Sequence, residues 1–597
     1  MAVFEYPEKF DVIVVGGGHA GIEASRISAI MGKKTLLITQ SLDTIGQMSC
    51  NPSIGGVGKG QIVREIDALG GVMGIITDKS ALHYHMLNTS RGPAVHSPRA
   101  QCDKKLYHIY AKKILEETPN LYIIQDEAKE IITSDNSIEG LISIRNIFYK
   151  SKIIILTTGT FLNGVIHIGE FSREGGRYND PPAKYLSDSL RKLGLKIKRL
   201  KTGTPMRLNG IYINFELCTK QPSDNPPFPF SIFTDRNELL KRKYLDCWIT
   251  RTTEKTFDII NSNLNKSALY SGRIKTIGPR YCPSIEDKIY KFPHHKTHHI
   301  FLEPEGFNTL EYYLNGLSTS LSEDVQIEIV KSIDSIKNAS IIRPGYAIEY
   351  DLSDPLDINY TLESKILPGL FLAGQINGTT GYEEAAGQGL IAGINAALKL
   401  DGKDPFILKR EESYIGVMID DLITKGVDEP YRIFTSRAEF RILLRYDNAD
   451  LRLTDYAFKL KTLPQELKEK FERYKEIYNE LLENPDKEVK NYDIYPWSID
   501  MARQSAKNQR FYSVYIDRYK KEAEKIKKFE EIKIPDDIDY NQINELSIEA
   551  RQKLSRVKPK TFAQAYRISG ITISDVQLIW ILIEKRKYER KVENSDK

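Results

Sequence analysis

The chain has 597 residues, 41% hydrophobic and 28% charged, with 39 Gly and 26 Pro. That supplies several buried cores, excludes a largely disordered chain and suits three to four domains at roughly 150 residues each. Lys and Arg number 85 against 80 Asp and Glu, a net charge of +5, so bulk charge does not argue for nucleic acid and an RNA surface has to be a local patch.

The opening MAVFEYPEKF has no apolar or Arg/Ser-rich amphipathic stretch before a strand pattern starts near Phe10, so no signal or transit peptide is expected. No apolar run reaches the ~18 to 20 residues of a bilayer span. The five cysteines, Cys50, Cys102, Cys218, Cys247 and Cys282, are odd in number and include no CxxC pair. This argues against a disulfide framework or zinc ribbon and fits a reducing, cytoplasmic setting.

Residues 10–40 predict a strand, a glycine turn, a small-residue helix and a second strand, a βαβ unit. The turn is GGGHAG: Gly16, Gly17, Gly18, His19, Ala20 and Gly21. G-x-G-x-x-G directly after DVIVV lets the backbone approach a pyrophosphate, whose charge the helix N-terminus stabilises. The second strand, TLLIT, ends in Thr39, where such folds usually place an acidic residue for the ribose. Ala128, after LYIIQDEA, occupies the place where this topology lets backbone groups meet an adenine.

A strong strand follows at 152–164 and closes with Thr157, Thr158 and Gly159; another, at 367–378, carries G-L-F-x-A-G before a small-residue helix. Both resemble the later fingerprints of flavoproteins of the glutathione reductase type, which favours FAD over NAD as resident dinucleotide. In that resemblance the residue after the last glycine contacts the flavin ribityl or phosphate region. It is usually Asp and here is Gln375, whose amide still hydrogen-bonds a hydroxyl or phosphate oxygen.

The expected fold is α/β: an FAD-binding Rossmann-like domain of the glutathione reductase type with an inserted α+β domain and an all-α C-terminal domain. Its parts are 1–204 (FAD domain, first part), 205–341 (inserted substrate domain, with Pro-rich loops and a helix near 322–337), 342–404 (FAD domain, second part) and 405–597 (helical domain).

Cys50 lies in S-C-N-P-S-I-G-G, where a proline and paired glycines predict a fixed turn. Cys282 precedes Pro283, which suits a first helical position, and sits beside Arg280, where a thiolate would accumulate. Residue chemistry alone leaves each of the two open between reactive and structural; Cys102, Cys218 and Cys247 read as packing residues.

Several colinear stretches together resemble the MnmG (GidA) family of tRNA uridine 5-carboxymethylaminomethyl modification enzymes. They include GGGHAG (16–21), GQMSCNPSIGGVGKG (46–60), GTFLNG (159–164), GGRYNDPP (175–182), LKTGTP (200–205), GPRYCPSIEDKI (278–289), IFLEPEG (300–306), RPGYAIEYD (343–351), AGQINGTTGYEEAAGQG (373–389), EPYRIFTSRAEFR (429–441) and RISGIT (567–572). The resemblance implies an FAD-dependent homodimer acting with the GTPase MnmE, as a heterotetramer, on the wobble uridine of certain tRNAs. It would install an aminomethyl or carboxymethylaminomethyl group at uracil C5 with methylenetetrahydrofolate, glycine or ammonium, and NADH.

The resemblance also points to Cys50 and Cys282 as the catalytic thiols, one adding to uracil and the other aiding proton transfer or resolution. It makes Gly278, Pro279, Arg280, Tyr281, Cys282, Pro283, Ser284, Ile285, Glu286, Asp287, Lys288, Ile289, Tyr290, Lys291 and Phe292 an NADH-interacting segment. At Ala183 the family often has serine, so a side-chain hydrogen bond to flavin is missing there.

His294, His295, His298 and His299 lack accompanying cysteines and read as a polar loop rather than a zinc site. Arg437, Arg441 and Arg445 recur every four residues and, with Arg432 upstream, predict a basic helix face for tRNA phosphates. Residues 551–590 form a basic stretch with Tyr566, Trp580 and Tyr588 interleaved, suited to tRNA or the partner. VQLIWILI reads as helix core, and Val514 stands where the family usually has glycine. A folate- and FAD-dependent tRNA uridine methyltransferase would not need the helical extension of roughly 190 residues. A small-molecule flavin oxidoreductase and a nonenzymatic RNA-binding flavoprotein also compete with the family's function.

Overall fold

The computed structural model describes residues 3–278, 283–489, 494–519, 521, 532–535, 537–543, 545–568 and 570–595, without the side chains of 573 and 586–595. The first βαβ unit forms where expected: β1 (Val12–Val15), α1 (His19–Ile30) and β2 (Thr35–Thr39). Helix α2 (Lys59–Ala68) and strands β3 (Leu121–Gln125) and β4 (Ile153–Leu156) follow.

Strand β5 (Ile197–Thr204) leads out to an inserted unit that contains α3 (Ile285–Lys291), β6 (His299–Pro304) and β7 (Glu311–Asn315). Strand β8 (Tyr346–Ser353) leads back. Because β5 and β8 pair antiparallel from Ile197↔Ser353 to Thr204↔Tyr346, both connections cross at one point. The inserted unit has its own six-stranded sheet and a separate core built from residues between Met206 and Ala339.

After the return come β9 (Leu370–Leu372) and α4 (Tyr382–Leu400). The strands order as β9-β4-β1-β2-β3, all parallel. The runs of β9, β4, β1 and β2 are apolar because both faces are covered, whereas the edge strand β3 is partly exposed. Helices α1 and α4 pack backbone to backbone: a Cβ at Gly389 would lie 2.1 Å from the Ala20 carbonyl oxygen, and Ser28 Oγ donates to Gly393 O at 3.2 Å. That contact explains the small residues of both helices.

Helices α5 (Tyr414–Lys425), α6 (Ala449–Leu460), α7 (Lys468–Glu483) and α8 (Ser498–Phe511) share one continuous core with the parallel sheet. A further small core gathers residues between Ile534 and Ile583, including the start of α9 (Ile573–Ser595), against Leu356. In VQLIWILI the periodicity splits the run: Ile579 and Ile583 are buried, whereas Trp580 and Ile581 face outward. Among the described residues no helix is long and apolar enough to cross a membrane.

Candidate functional site

A cavity of ≈ 490 Å³ opens at the C-terminal ends of β1, β2, β3 and β4 and extends to the junction of β5, β7 and β8. Ligands of parallel α/β sheets bind at this end of the strands. Gly16 has φ +109°, a conformation other residues rarely adopt, and a Cβ there would sit 2.5 Å from the Thr157 carbonyl oxygen. Thr157 Oγ1 clamps the turn by donating to Val15 O at 2.8 Å and Gly16 O at 2.9 Å. Gly18 caps α1, and a Cβ there would meet no protein atom within 4 Å. The turn thus leaves a cradle that a side chain would fill, at the positive end of a 12-residue helix.

The remaining wall suits a dinucleotide. Thr158, Gly159, Ala183, Gly374 and Gln375 line the cavity beyond the turn, and Ala128 lines its far end. The carboxylate missing after β2 is supplied from β3: Glu127 lies in the wall and accepts from Gln40 Nε2 at 2.8 Å. Sequence reasoning passed over Glu127, whose only signal was the acidic pair before Ala128. Gly21 lies behind the turn rather than in the wall, where a Cβ would collide with Gly16 O.

Cys50 is half-buried in the same wall. Its backbone N–H donates to Tyr382 Oη at 2.8 Å, and its Sγ lies 3.0 Å from Tyr313 Oη. The Tyr382 ring stacks on His19 with centroids 4.3 Å apart, which ties the thiol turn to the glycine turn. Burial holds His19 neutral, its pKa down to about 3. Arg207 is buried, pairs with Glu305 (Nε to Oε1, 3.0 Å), donates to Ser49 O at 2.9 Å and lies over the Tyr313 ring at 4.8 Å. A fixed cation beneath the tyrosine favours hydroxyl donation toward the sulfur. By contrast, burial pushes the Cys102 thiol up to about 12 and raises Cys218 and Cys247 as well, so these are poor nucleophiles.

Two expectations are corrected. Within the 278–292 segment, Gly278 lies against the Lys201 side chain and does not line the cavity, and Pro279, Arg280, Tyr281 and Cys282 lie outside the described residues. Helix α3 starts at Ile285, capped by Ser284 Oγ accepting from Asp287 N at 3.2 Å, so Pro283 precedes the cap instead of opening the helix. The helical period turns Ile285, Glu286 and Ile289 into the inserted unit's interior, where the Glu286 carboxylate accepts from Ser320 N at 2.9 Å. Their side chains face that interior and do not line the cavity. Tyr290, Lys291 and Phe292 are exposed, and Lys288 donates to Gly316 O at 2.9 Å.

The arginine row is also not a helix face. Thr435–Arg437 is a single 3-10 turn, and α6 begins only at Ala449. Arg410 holds the loop open by donating to Arg437 O at 3.1 Å and to Glu439 at 2.7 Å. Arg445 is 1% exposed and pairs with Asp447, so it meets no phosphate. Arg432 lines the cavity, Arg437 lies over the Tyr431 ring at 4.4 Å, and Arg441 is exposed. Val514 is also exposed.

The chain was compared with known proteins. The family model "Glucose inhibited division protein A" matches residues 11–404, and "tRNA modifying enzyme MnmG/GidA C-terminal helical bundle" matches 522–597. Curated relatives called tRNA uridine 5-carboxymethylaminomethyl modification enzyme MnmG include one from Endomicrobium trichonymphae, 48% identical with 99% of each chain covered. Another, from Aquifex aeolicus, is 49% identical over 97% of this chain and 99% of its own. A crystal structure of Aquifex aeolicus GidA superposes with TM-score 0.87 at 49% identity, covering 96% of this chain and 100% of that one.

Proposed function

The chain belongs to the MnmG/GidA family of tRNA uridine 5-carboxymethylaminomethyl modification enzymes, and we propose that it modifies C5 of the wobble uridine with FAD seated in the β1–β4 cavity and Cys50 as a reacting thiol. One observation carries this proposal: the glycine cradle and the Cys50 thiol line one cavity, joined through the His19–Tyr382 stack.

FAD fits the residues present. The backbone of Gly16, Gly17, Gly18, His19 and Ala20 at the start of α1 would hold its pyrophosphate, Glu127 its ribose hydroxyls, Ala128 its adenine edge by backbone contact, and Gln375 its ribityl or phosphate oxygens. Bound there, FAD supplies a two-electron carrier for reducing equivalents from NADH.

Uracil C5 is a weak nucleophile. Addition of the Cys50 thiolate to C6 would form the S–C6 bond and move the C5=C6 pair into an enolate, whose C5 attacks the one-carbon unit brought by methylenetetrahydrofolate. Loss of the C5 proton with expulsion of tetrahydrofolate would leave an exocyclic methylene, to which the nitrogen of glycine or ammonia adds, and departure of the thiolate from C6 restores the C5=C6 bond. Tyr313 donates to the sulfur before attack and as it leaves. Tyr382 accepts from the Cys50 N–H and fixes the turn that aims the sulfur. Cys282 remains the second thiol, for addition or for proton transfer. Glycine or ammonium provides the amine, and NADH the reducing equivalents.

The basic C-terminal stretch, with exposed Tyr566 and Trp580, would meet tRNA and the GTPase MnmE in a cytoplasmic heterotetramer built on a homodimer of this chain. Nucleoside analysis of tRNA from cells lacking the protein tests the assignment. Loss of the wobble C5 substituent is expected. Loss of 5-methyluridine instead would make the chain a methyltransferase, and unchanged nucleosides would contradict both.

A further inference from the structure

Glu303, on β6 directly opposite Tyr313 of β7, is fully buried and not used by the chemistry above. Its carboxylate binds three side chains of the cavity wall: Asn51 Nδ2 at 2.7 Å, Arg99 Nη2 at 2.7 Å and Asn315 Nδ2 at 3.4 Å. A carboxylate paired with a guanidinium only accepts, so both amides must turn their NH₂ groups toward it. That pins each Oδ1 on the side away from Glu303. Asn51 Oδ1 is buried and has no hydrogen-bond partner within the protein. An orphan acceptor in a cavity wall marks a donor that arrives with a ligand.

Asn51 is the residue after Cys50, and Asn315 shares a strand face with Tyr313, whose hydroxyl touches the Cys50 sulfur. The ligand edge that meets this wall therefore belongs to a ring within reach of that thiol. The wall combines amide acceptors with a guanidinium donor, which matches a cyclic lactam edge, a ring N–H beside a ring C=O. Uracil presents it at N3–H and its flanking carbonyls; cytosine presents an acceptor at N3 and a donor at C4.

We propose that Asn51, Asn315 and Arg99, oriented by Glu303, form the wall that reads the N3–H and carbonyl edge of the target uracil. Asn51 Oδ1 accepts from N3–H and Arg99 donates to a ring carbonyl. Glu303 is the positioning residue, and the device selects uridine over cytidine. A pterin carries the same lactam edge, as does the pyrimidine ring of the flavin seated in the same cavity; the adjacency to Cys50 favours uracil, and the test separates the three. The proposal rests on the assignment of the chain's substrate made above.

The test uses the full-length FAD-loaded protein and two tRNA transcripts that differ only in uridine or cytidine at the wobble position. The wild type is expected to bind the uridine transcript about tenfold more tightly, and Asn51→Ala, Asn315→Ala and Glu303→Gln to bring the ratio near one. Melting temperature identifies any variant that fails to fold; the others carry the result. Equal binding of both transcripts by the wild type, or an undiminished ratio in the folded variants, overturns the inference. So do folded variants that keep the ratio and weaken only methylenetetrahydrofolate binding or only flavin retention, since the wall would then read the pterin or the flavin. A wild type that neither binds nor modifies the uridine transcript instead contradicts the functional assignment itself.

Discussion

The Cys50 sulfur and the Tyr313 hydroxyl lie 3.0 Å apart although 263 residues separate them in the chain, and buried Arg207 sits over the tyrosine ring at 4.8 Å. The thiol comes from the flavin domain and the hydroxyl from the inserted unit, so the reacting group exists only where the two meet. Hydrogen bonds to charged groups contribute about 1.5–3 kcal/mol. Tyr313→Phe is therefore expected to slow iodoacetamide labelling of Cys50 at neutral pH about tenfold or more, followed by peptide mass spectrometry, with the folded protein retained. Unchanged labelling would remove the tyrosine from the account.

Two arginines that a four-residue spacing would put on a single helix face should behave differently. Arg445 is enclosed with Asp447, and truncating one partner of a buried pair costs about 3–5 kcal/mol. Arg445→Ala should lower the denaturation midpoint sharply. Arg441→Ala, at an exposed position, should leave stability within about 0.5 kcal/mol and weaken tRNA binding with a smaller salt dependence. Melting curves and binding titrations at two salt concentrations separate the cases.

Glycine substitutions distinguish ligand from scaffold. Gly18→Ala meets no protein atom, so it should fold normally yet lose FAD affinity about tenfold or more as its methyl group enters the cradle. Gly389→Ala would drive a methyl group into the Ala20 backbone and should destabilise the α1–α4 contact regardless of flavin. Flavin content and thermal unfolding, measured on both, check the contrast.

His19 gives a pH signature. Its pKa falls from the ordinary 6.5 to about 3 in the folded chain, so between these values the unfolded state binds more protons and stability falls as pH falls. From well above pH 6.5 down to pH 5 this group alone removes about 2 kcal/mol. In the flavin-free protein His19→Gln should lose that much less stability over the same interval, measured by denaturant unfolding. Equal losses in the two proteins would contradict the neutral, buried imidazole.

What the sequence made legible was contiguous. The glycine turn, Thr157 to Gly159, Gln375 and the Cys50 turn each sit in a local motif, and Ala128 follows from the strand topology. Glu127, Tyr313, Arg207, Tyr382 and Glu303 were not legible, because each comes from a different element and only strand order and the paired β5–β8 crossing bring them together. The arginine spacing misled because a four-residue repeat implies one face only if the segment is helical. Here Arg410 binds a backbone carbonyl of the same segment and stabilises a non-helical loop. Likewise the start of α3 follows the Ser284 cap rather than Pro283, and its inward face serves the inserted unit's core.

The central claim joins wobble-uridine modification to the Cys50 thiol in a flavin cavity. The most direct measurement is nucleoside analysis of tRNA treated with the Cys50→Ser protein, alongside its flavin absorbance. The account predicts that the C5 substituent is not formed while FAD stays bound; a Cys50→Ser protein that still modifies the wobble uridine at the wild-type rate would contradict it.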